Sequence, residues 1–392
     1  MRLSRNHNKP HRAAWDEETR AGSATEHTMR RARAALLACA AALLVHAPGL
    51  KAAGEERPPR SVAMARFLMG TRLSIETDGP AAPEAIEAAF REVERLESVL
   101  SNWKADSEVS RLNDRASLEW FRCSPDLYRA VGDALHWAAE TGGAFDPTVE
   151  PLVRALGLRA EGQVDDSPPP TGSRTTGPGT APDGDARREA LGRLPIGWRH
   201  VERRGLTRSV RYDAPGVGLD FGGIGKGIAL DAAARVLARR GVRVALLDFG
   251  GQVLAVGRPR GSEGWPVGIA DPLDRDAAVA VVRGSDVSIS TSGNGERAVP
   301  GPDGPIGHIL DPAVHRPASF QGTVTVAARD ATSADALSTA LFVMGPENGP
   351  RWADARGVAV LFLWRGADGT LGLRSSRAFD ETFPGWSRTI EQ

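Results

Sequence analysis

Cysteine is nearly absent from this sequence. Its 392 residues include two cysteines, Cys39 and Cys123. Cys39 lies in an apolar run near the N-terminus, so the folded part of the chain would carry one thiol and no internal disulfide. A domain without disulfides depends on its hydrophobic core, and 41% apolar residues allow one large core or two adjoining ones.

An excess of charge of either sign is also missing. Forty-nine Lys and Arg residues balance 49 Asp and Glu residues, which gives a formal net charge of zero. A neutral chain has no overall electrostatic attraction for a nucleic-acid backbone. The composition therefore argues against a nucleic-acid partner and favours a small molecule or another protein.

Long apolar runs are absent as well. The longest one, from Ala34 to Val45, follows the basic stretch from Met29 to Arg33 and precedes small residues around Ala52. This is the layout of a secretory signal peptide, and the run is too short to span a bilayer comfortably.

We therefore expect residues 29–53 to be a signal peptide and residues 1–28 to be a non-native or disordered extension. The protein would then be exported, either periplasmic or associated with the periplasmic side of the inner membrane. Two alternatives keep it attached to the membrane: a retained N-terminal anchor, or acylation of Cys39 as in a lipoprotein.

The hydrophobic pattern predicts an α+β fold. Apolar residues at helical spacing predict helices at Pro83–Ser101, Pro125–Thr141, Gly227–Arg240 and Ala331–Met344. Short β-rich runs predict strands at Val242–Asp248, Gln252–Val256, Ala277–Val282, Val287–Thr291, Gly322–Ala328, Val358–Leu363 and Leu371–Arg374. These strands cluster around a few helices instead of alternating with them, which favours α+β over a doubly wound sheet. Residues 162–185 are rich in Pro, Gly, Ser and Thr and predict a disordered surface insertion.

The segment Leu219–Gly227 joins a short strand to a helix through closely spaced glycines. Glycines allow the backbone to approach a ligand, and the N–H groups of a helix start attract phosphate. The segment is not a Walker loop, because Gly227 replaces the Ser or Thr after Gly-Lys, and it does not follow the G-x-G-x-x-G pattern. Taken alone, it fits equally well a tight turn that carries a surface lysine.

Asp335 and Thr339 lie four residues apart in a predicted helix, so their oxygens leave the same face one turn apart. A carboxylate and a hydroxyl in this arrangement suit Mg²⁺, which takes oxygen ligands and bridges phosphates. On spacing alone, a capped helix with Thr332 or Ser333 as its cap is the better interpretation.

His308 precedes an Asp-Pro turn and follows a glycine-rich loop at residues 290–295. A lone histidine is usually structural and bonded to a backbone carbonyl. In this position it is also a candidate general base near neutral pH.

Six segments, taken in order, resemble the ApbE family, the FAD:protein FMN transferases. They are Met69-Gly70-Thr71, Leu100–Asn113, Gly143–Val149, Asp220–Gly227, His308–Pro312 and Ala334–Thr339. Each is weak alone, but six in order are specific. The resemblance implies one compact, T-fold-like α+β domain of mixed or antiparallel sheets with helices at residues 64–380, interrupted by the insertion at 162–185.

The resemblance also implies a role for individual residues. The positions that line the FAD site in this family are Met69, Trp103, Ala144, Phe145, Asp146, Asp220, Lys226 and Ile309. The Mg²⁺ ligands would be Asp335, Thr339 and the backbone carbonyl of Gly223, which reverses the preference for a simple capped helix. Lys226 and Asp335 would act in catalysis, with His308 as the base.

The implied reaction is Mg²⁺-dependent cleavage of FAD, in which FMN is joined through a phosphoester to a Ser or Thr of an acceptor protein and AMP is released. The acceptors implied are subunits of redox complexes, such as the sodium-pumping NADH:quinone oxidoreductase (Nqr) and Rnf-type complexes. One alternative is an FAD pyrophosphatase that uses water as the nucleophile. Another is a periplasmic flavin-binding protein without turnover, although pure binding would not require the metal ligands Asp335 and Thr339.

Overall fold

The structure is a computed structural model that describes residues 61–77, 83–158, 184–293, 299–301 and 304–386. The predicted extension (1–28) and signal peptide (29–53) lie outside the described residues. The predicted insertion (162–185) also lies outside them, apart from its last two residues, which begin a helix at Gly184. All described residues belong to one unit of the chain.

An antiparallel sheet of eight strands forms the centre of the described unit. In order across the sheet, the strands are β1 (Val62–Leu68), β2 (Thr71–Thr77), β6 (Ala245–Phe249), β7 (Gln252–Val256), β10 (Val287–Gly293), β15 (Thr323–Ala328), β16 (Ala359–Arg365) and β17 (Leu371–Ser375). The register pairs Leu73 with Phe249 and Ser290 with Val326.

Smaller sheets and helices surround this sheet. The remaining strands are β3 (Phe121–Arg122), β4 (Val201–Arg204), β5 (Ser209–Tyr212), β8 (Trp265–Ala270), β9 (Ala278–Gly284), β11 (Val299–Gly301), β12 (Gly304–Ile306), β13 (Leu310–Asp311) and β14 (Arg316–Pro317). The α-helices are α1 (Pro83–Leu100), α2 (Glu108–Arg115), α3 (Pro125–Glu140), α4 (Glu150–Ala155), α5 (Gly184–Gly192), α6 (Gly225–Arg239), α7 (Ala331–Asp354) and α8 (Arg377–Thr382).

Both faces of the central sheet are covered, which follows from strands with apolar residues on both sides. On one face, Val324 and Val326 of β15 pack against Leu337 and Leu341 of α7, and α1 and α6 extend the same layer. On the other face, Leu361 and its neighbours pack against α8 and the β8–β9 hairpin. The predicted α+β class is confirmed.

The predicted helices all exist. The predicted end of the fourth one at Met344 is confirmed, because the backbone of the next residue, Gly345, is not helical (φ 71, ψ 175). A second helical segment, which begins at Pro346, follows this kink and was not predicted. The range of α7, Ala331–Asp354, includes both segments.

All seven predicted strands are present, as β6, β7, β9, β10, β15, β16 and β17. The strands β1 to β5, β8 and β11 to β14 were not predicted. The residues of β1 alternate between exposed and half-buried positions. The strand therefore lacks the alternation of buried apolar and exposed polar residues by which a strand is predicted. Residues 290–293 of the predicted glycine-rich loop extend β10.

The three-stranded sheet β3–β5–β4 lies beside α3. It buries Val210 and Tyr212 in a core shared with α3. Cys123, the predicted single thiol of this domain, is free and buried next to it, and burial raises the pKa of this thiol to about 12. No helix in the described ranges is long and apolar enough to cross a membrane.

The starts of α6 and α7 meet at Gly227. A Cβ added to Gly227 would lie 2.2 Å from the carbonyl oxygen of Ala331, the first residue of α7. The same oxygen accepts a hydrogen bond from Nε2 of the buried Gln252 at 2.8 Å. The absence of a side chain at Gly227 is therefore what allows the two helices to approach each other here.

Gly227→Ala is expected to lower the free energy of unfolding by about 1–3 kcal/mol, because the new methyl group overlaps backbone that cannot rotate away. Urea denaturation would measure this. Gly192→Ala is the matched control, since a Cβ there meets nothing within 4 Å. Equal transition midpoints for the two variants would contradict the proposed close contact.

Candidate functional site

The backbone that leads into the Leu219–Gly227 segment is held by two asparagines. Nδ2 of Asn102 and Nδ2 of Asn113 both donate to the carbonyl oxygen of Leu219, at 2.7 Å and 2.9 Å. Oδ1 of Asn113 accepts from the N–H of Leu219 at 2.8 Å and from the hydroxyl of the buried Tyr212 at 2.7 Å. The chain therefore enters the turn at a fixed position.

Asp220 then shapes the turn itself. Its N–H donates to the carbonyl oxygen of Pro147 at 2.7 Å, and its Oδ1 accepts from the N–H of Gly222 at 2.7 Å. The N–H of Gly225 donates to the carbonyl oxygen of Phe221, also at 2.7 Å, and α6 begins there. The predicted turn into a helix is thus present, with Asp220 half-buried at its start. The predicted short strand before it is wrong, because residues 217–220 form no strand; the backbone of Leu219 bonds to asparagine side chains instead of a neighbouring strand.

Asp335 joins this turn to α7. Its carboxylate is almost fully buried, with 4% of the side chain exposed. Oδ2 accepts from the N–H of Gly227 at 3.0 Å, and Oδ1 lies 3.2 Å from Nζ of Lys226. A buried carboxylate is stable only with such partners, so the predicted catalytic pair of Lys226 and Asp335 is in direct contact.

The predicted metal ligands Gly223 and Thr339 are also brought together. A Cβ added to Gly223 would lie 3.0 Å from Oγ1 of Thr339 and 3.2 Å from the Phe145 ring. Gly223 therefore has its backbone against the Thr339 hydroxyl. The buried ring of Phe145 packs against Gly223 beside this contact.

The oxygen atoms at this point are of the kind that could hold a Mg²⁺ ion. In the described part of the chain, no three His, Cys, Asp or Glu side chains form a metal-binding group. The candidate set has instead one carboxylate, from Asp335, and one hydroxyl, from Thr339, a turn apart on α7. A small number of protein ligands is the arrangement in which Mg²⁺ keeps positions for substrate phosphates and water.

Ser338 anchors this part of α7 to the central sheet. Its hydroxyl donates to the carbonyl oxygen of Asp335 at 3.0 Å. It also lies 3.1 Å from the hydroxyl of Ser290 and 2.9 Å from that of Ser292, both on β10. The helix turn that carries Asp335 and Thr339 is thereby held against a strand as well as against α6.

The N-terminus of α7 is capped from two sides. The predicted cap, Thr332 or Ser333, is wrong. The cap is Asp330, which has extended backbone (φ −126, ψ 155) and accepts from the N–H of Ser333 at 2.8 Å. Asp231 of α6 accepts from the N–H groups of Ala331 and Thr332 at 2.8 Å and 2.9 Å, and burial raises the pKa of Asp231.

Asp231 and Asp335 therefore act reciprocally. A carboxylate of α6 takes N–H groups at the start of α7, and a carboxylate of α7 takes an N–H group at the start of α6. Asp231, Asn102 and Asn113 had no predicted role. For Asp231 a signal was present, because an acidic residue amid Ala and Leu on a helix requires a partner when it is buried.

Asp146 makes its contacts within the protein. Oδ1 accepts from both the N–H and the hydroxyl of Thr148, at 2.8 Å and 2.6 Å, and Oδ2 accepts from the N–H of Trp198 at 2.8 Å. Thr148 in turn accepts from the N–H of Gly197 at 2.7 Å. Asp146 thus holds the 197–198 segment in place beside Phe145, and burial raises its pKa.

Three other predicted FAD-lining residues differ in their surroundings. Trp103 is 51% exposed and directly follows Asn102, which binds Leu219. Ala144 is half-buried beside Phe145. Met69 occupies the β1–β2 turn with a positive φ of 46 and packs against the core of α1 and α6.

His308 lies between β12 and β13, next to Ile309. Ile309 is buried in the same core as Leu337 and Leu341 of α7. The His308 segment therefore rests against the helix that carries Asp335 and Thr339.

A cleft of about 450 Å³ between α1, α3, α6 and α7 is a poor alternative site. None of the predicted site residues lines it. Five carboxylates and only two arginines do, and among the carboxylates Asp231 and Asp330 are already engaged at the start of α7. A ligand that carries phosphate groups would be repelled there.

Comparison with known proteins gives one consistent result. The family model described as "ApbE family" matches residues 69–362. The chain is 30% identical over 323 residues to the FAD:protein FMN transferase of Vibrio cholerae, covering 81% of this chain and 91% of the relative. It is 30% identical to that of Klebsiella pneumoniae, covering 77% and 83%. Among solved structures, the flavinyl transferase ApbE of Pseudomonas stutzeri matches with a TM-score of 0.69 and 27% identity, covering 84% of this chain and 99% of that one.

The raised pKa of Asp146 generates a prediction for the dependence of stability on pH. The folded chain holds the Asp146 proton more tightly than the unfolded chain does. The stability that this proton contributes to the wild type is fully present below the ordinary carboxyl pKa of about 3.9. It is lost as the pH rises through the raised pKa of the folded state. Asp146→Asn has no such proton. The difference in free energy of unfolding, wild type minus variant, is expected to decrease with rising pH.

Urea denaturation at a series of pH values above and below the ordinary carboxyl pKa would measure this difference. Asp114→Asn, at an exposed aspartate of α2, is the control for the loss of one negative charge. A difference that stays constant across the series, or that follows the Asp114 control, would contradict the assignment.

Proposed function

This chain belongs to the ApbE family, and from that premise we propose that it transfers the FMN half of FAD to a Ser or Thr hydroxyl of an acceptor protein, in a reaction that requires Mg²⁺. It is a transferase acting in flavin transfer.

One observation carries the proposal: Asp335, Thr339, Gly223 and Lys226 converge at the start of α6. Asp335 and Thr339 offer a carboxylate and a hydroxyl one turn apart, and the Gly223 backbone abuts the same hydroxyl. When bound to these oxygens, Mg²⁺ would neutralise charge on the phosphates of FAD. The ammonium group of Lys226, held beside Asp335, adds a second positive charge for a phosphate oxygen.

The aromatic residues nearby suit the flat parts of FAD. Trp103 has half of its side chain exposed, so its ring is available to stack on the isoalloxazine or the adenine. Phe145 is buried against Gly223, which supports a role in shaping the wall near the metal. Asp220, Ala144, Asp146, Met69 and Ile309 would complete the FAD site, with Asp146 acting through the backbone that it holds.

The chemical step needs a base. The acceptor oxygen forms a bond to the phosphorus of the FMN half while the bond from that phosphorus to the bridging oxygen breaks, so AMP leaves with that oxygen. The proton of the acceptor hydroxyl must be taken up as the oxygen attacks. We assign this role to His308, whose segment rests on α7 through Ile309.

The proposed location is outside the cytoplasm. A signal peptide at residues 29–53 would export the chain to the periplasm or to the periplasmic side of the inner membrane. Subunits of membrane-bound redox complexes, of the Nqr or Rnf type, are the proposed acceptors, since they would present a Thr-containing segment on that side.

Removal of the Thr339 hydroxyl tests the metal site. Thr339→Val keeps the shape of the side chain but deletes an oxygen ligand, so FMN transfer at a fixed low Mg²⁺ concentration is expected to fall about 100-fold. Thr339→Ser, which keeps the hydroxyl, is the matched control and should retain most of the activity. Transfer is measured by mass spectrometry of an FMN adduct on the acceptor after incubation with FAD.

Two further results would support the same assignment. Raising the Mg²⁺ concentration should partly restore Thr339→Val, and a chelator should stop the wild-type reaction. The metal assignment fails if Thr339→Val and Thr339→Ser behave alike, or if Asp335→Ala still forms the adduct.

Replacement of His308 tests the base. His308→Gln is expected to lower the transfer rate by roughly 10²–10⁴-fold, while FAD binding, followed by flavin fluorescence, is retained. His315→Gln is the control, because His315 is a structural histidine whose Nδ1 lies 2.7 Å from the carbonyl oxygen of Leu191. A His308 variant as active as the His315 variant would remove His308 from the mechanism.

Product analysis separates the proposed function from its two alternatives. An FMN adduct together with AMP indicates the transferase. Free FMN and AMP without an adduct, in the presence of acceptor, would indicate a pyrophosphatase. Intact, tightly bound FAD would indicate a flavin carrier.

A further inference from the structure

Positive charge is concentrated on one side of the small sheet β3–β5–β4. Residues 199–211 contain five arginines and one acidic residue, Glu202, in a chain whose overall formal charge is zero. Such a local excess attracts anionic partners although the whole protein does not.

The strand register gathers part of this charge on the outward face of the sheet. Arg122 and Arg204 lie on either side of Ser209, one on each neighbouring strand. Arg211, two residues further along the central strand β5, shares that face because side chains alternate along a strand. Its register neighbour on β4 is Glu202, with which it forms no ion pair in the described part of the chain.

Several guanidinium groups on this face are available to bind another molecule. Within the ranges that the structure describes, Arg122, Arg208 and Arg211 form no ion pair. Arg204 lies over the ring of Trp120, 3.7 Å from its centroid. This differs from arginines elsewhere in the chain, such as Arg66, which is paired with Glu87 at 2.8 Å.

Two leucines flank the same sheet. Leu206, at the tip of the β4–β5 hairpin, is 107% exposed, and Leu118, shortly before β3, is 82% exposed. They lie at opposite ends of the strands. The hairpin turn that carries Leu206 is next to Cys123, whose N–H donates to the carbonyl oxygen of Arg208. Ala116, two residues before Leu118, bonds to Tyr212 at the other end of β5. Large aliphatic side chains so fully exposed gain from any apolar contact.

We propose that this surface, defined by Arg122, Arg204, Arg208, Arg211, Trp120, Leu118 and Leu206 and here called the arginine face, docks on an anionic lipid bilayer. Guanidinium groups bind lipid phosphates. Trp120 has the amphipathic ring that is enriched at membrane interfaces. A soft, flat bilayer can take up both leucines without matching pockets, which a folded protein partner would need at two separated points.

Docking would also orient the candidate active site. The sheet is tied to the Leu219–Asp220 turn through Tyr212 and Asn113. A chain held on the bilayer by the arginine face would therefore hold this turn at a fixed distance from the membrane surface. That arrangement suits an acceptor segment close to the membrane surface.

Vesicle sedimentation of the full chain tests the proposal without any need for catalysis, so its outcome is independent of the proposed function. Vesicles of phosphatidylglycerol and phosphatidylcholine are compared with vesicles of phosphatidylcholine alone. Wild type is expected to bind the anionic vesicles more tightly and to be released by salt. The apolar run at residues 34–45 is common to all variants, so differences between variants report on the arginine face.

The combined variant Arg122→Gln, Arg204→Gln, Arg211→Gln should weaken binding to anionic vesicles by roughly 100-fold, about fivefold for each arginine. The matched control removes the same charge from the exposed arginines at the end of α6, as Arg239→Gln, Arg240→Gln, Arg243→Gln. This control should bind within about twofold of wild type, since the lost charges lie outside the docking surface. Should the two triple variants lose affinity equally, binding would depend on net charge alone and the proposal would be overturned.

The leucines give a second, milder comparison that does not disturb the sheet. Leu206→Ser should weaken binding several-fold, whereas Leu273→Ser, at an exposed leucine elsewhere (80% exposed), should not. If the arginine variant binds vesicles like wild type but loses FMN transfer to a soluble acceptor, the face docks an acidic protein instead, and the lipid proposal is wrong.

Discussion

The buried carboxylate of Asp335 is the interaction on which the site depends. With 4% of its side chain exposed, it is stable only because the N–H of Gly227 and the ammonium group of Lys226 compensate its charge. Both partners sit at the start of α6, while Asp335 belongs to α7. Loss of either partner would leave a largely buried charge without compensation, a change that costs about 3–5 kcal/mol in buried pairs. The two helix starts therefore have to keep their relative position.

Several other features of the chain serve this one constraint. Asp231 accepts hydrogen bonds from the first N–H groups of α7, so each helix contributes a carboxylate to the N-terminus of the other. Gly227 can have no side chain, because the carbonyl oxygen of Ala331 occupies that space. Gln252 holds the same oxygen from the central sheet. With the helix starts fixed in this way, the oxygens of Asp335 and Thr339 keep one geometry relative to the Gly223 turn.

The parts of this arrangement that could be predicted from the sequence are those encoded locally. The four-residue spacing of Asp335 and Thr339 fixed their common helix face, and the glycines of residues 219–227 indicated a turn into a helix. The contacts between distant segments could not be predicted, because no local pattern records that Asp231 meets Ala331 or that Asn113 meets Leu219. The cap of α7 was assigned to Thr332 or Ser333 for a different reason: Asp, Ser and Thr are all good N-caps, and only the backbone conformation shows that Asp330 precedes the first turn. Residue roles such as that of Asp146 came from family resemblance, and the hydrogen bonds of its carboxylate add a structural task that the resemblance did not include.

Charge balance explains why a single carboxylate at the proposed metal site would be appropriate for the proposed substrate. The pyrophosphate of FAD carries two negative charges. A bound divalent cation and the ammonium group of Lys226, set against the carboxylate of Asp335, would leave two positive charges to meet them. A second carboxylate ligand would bind the free metal more strongly but would reduce the field at the phosphates by half, and the attack on phosphorus depends on that field. A neutral hydroxyl such as that of Thr339 supplies a ligand oxygen without this penalty, so the Asp and Thr pair fits phosphoryl chemistry better than two acids would.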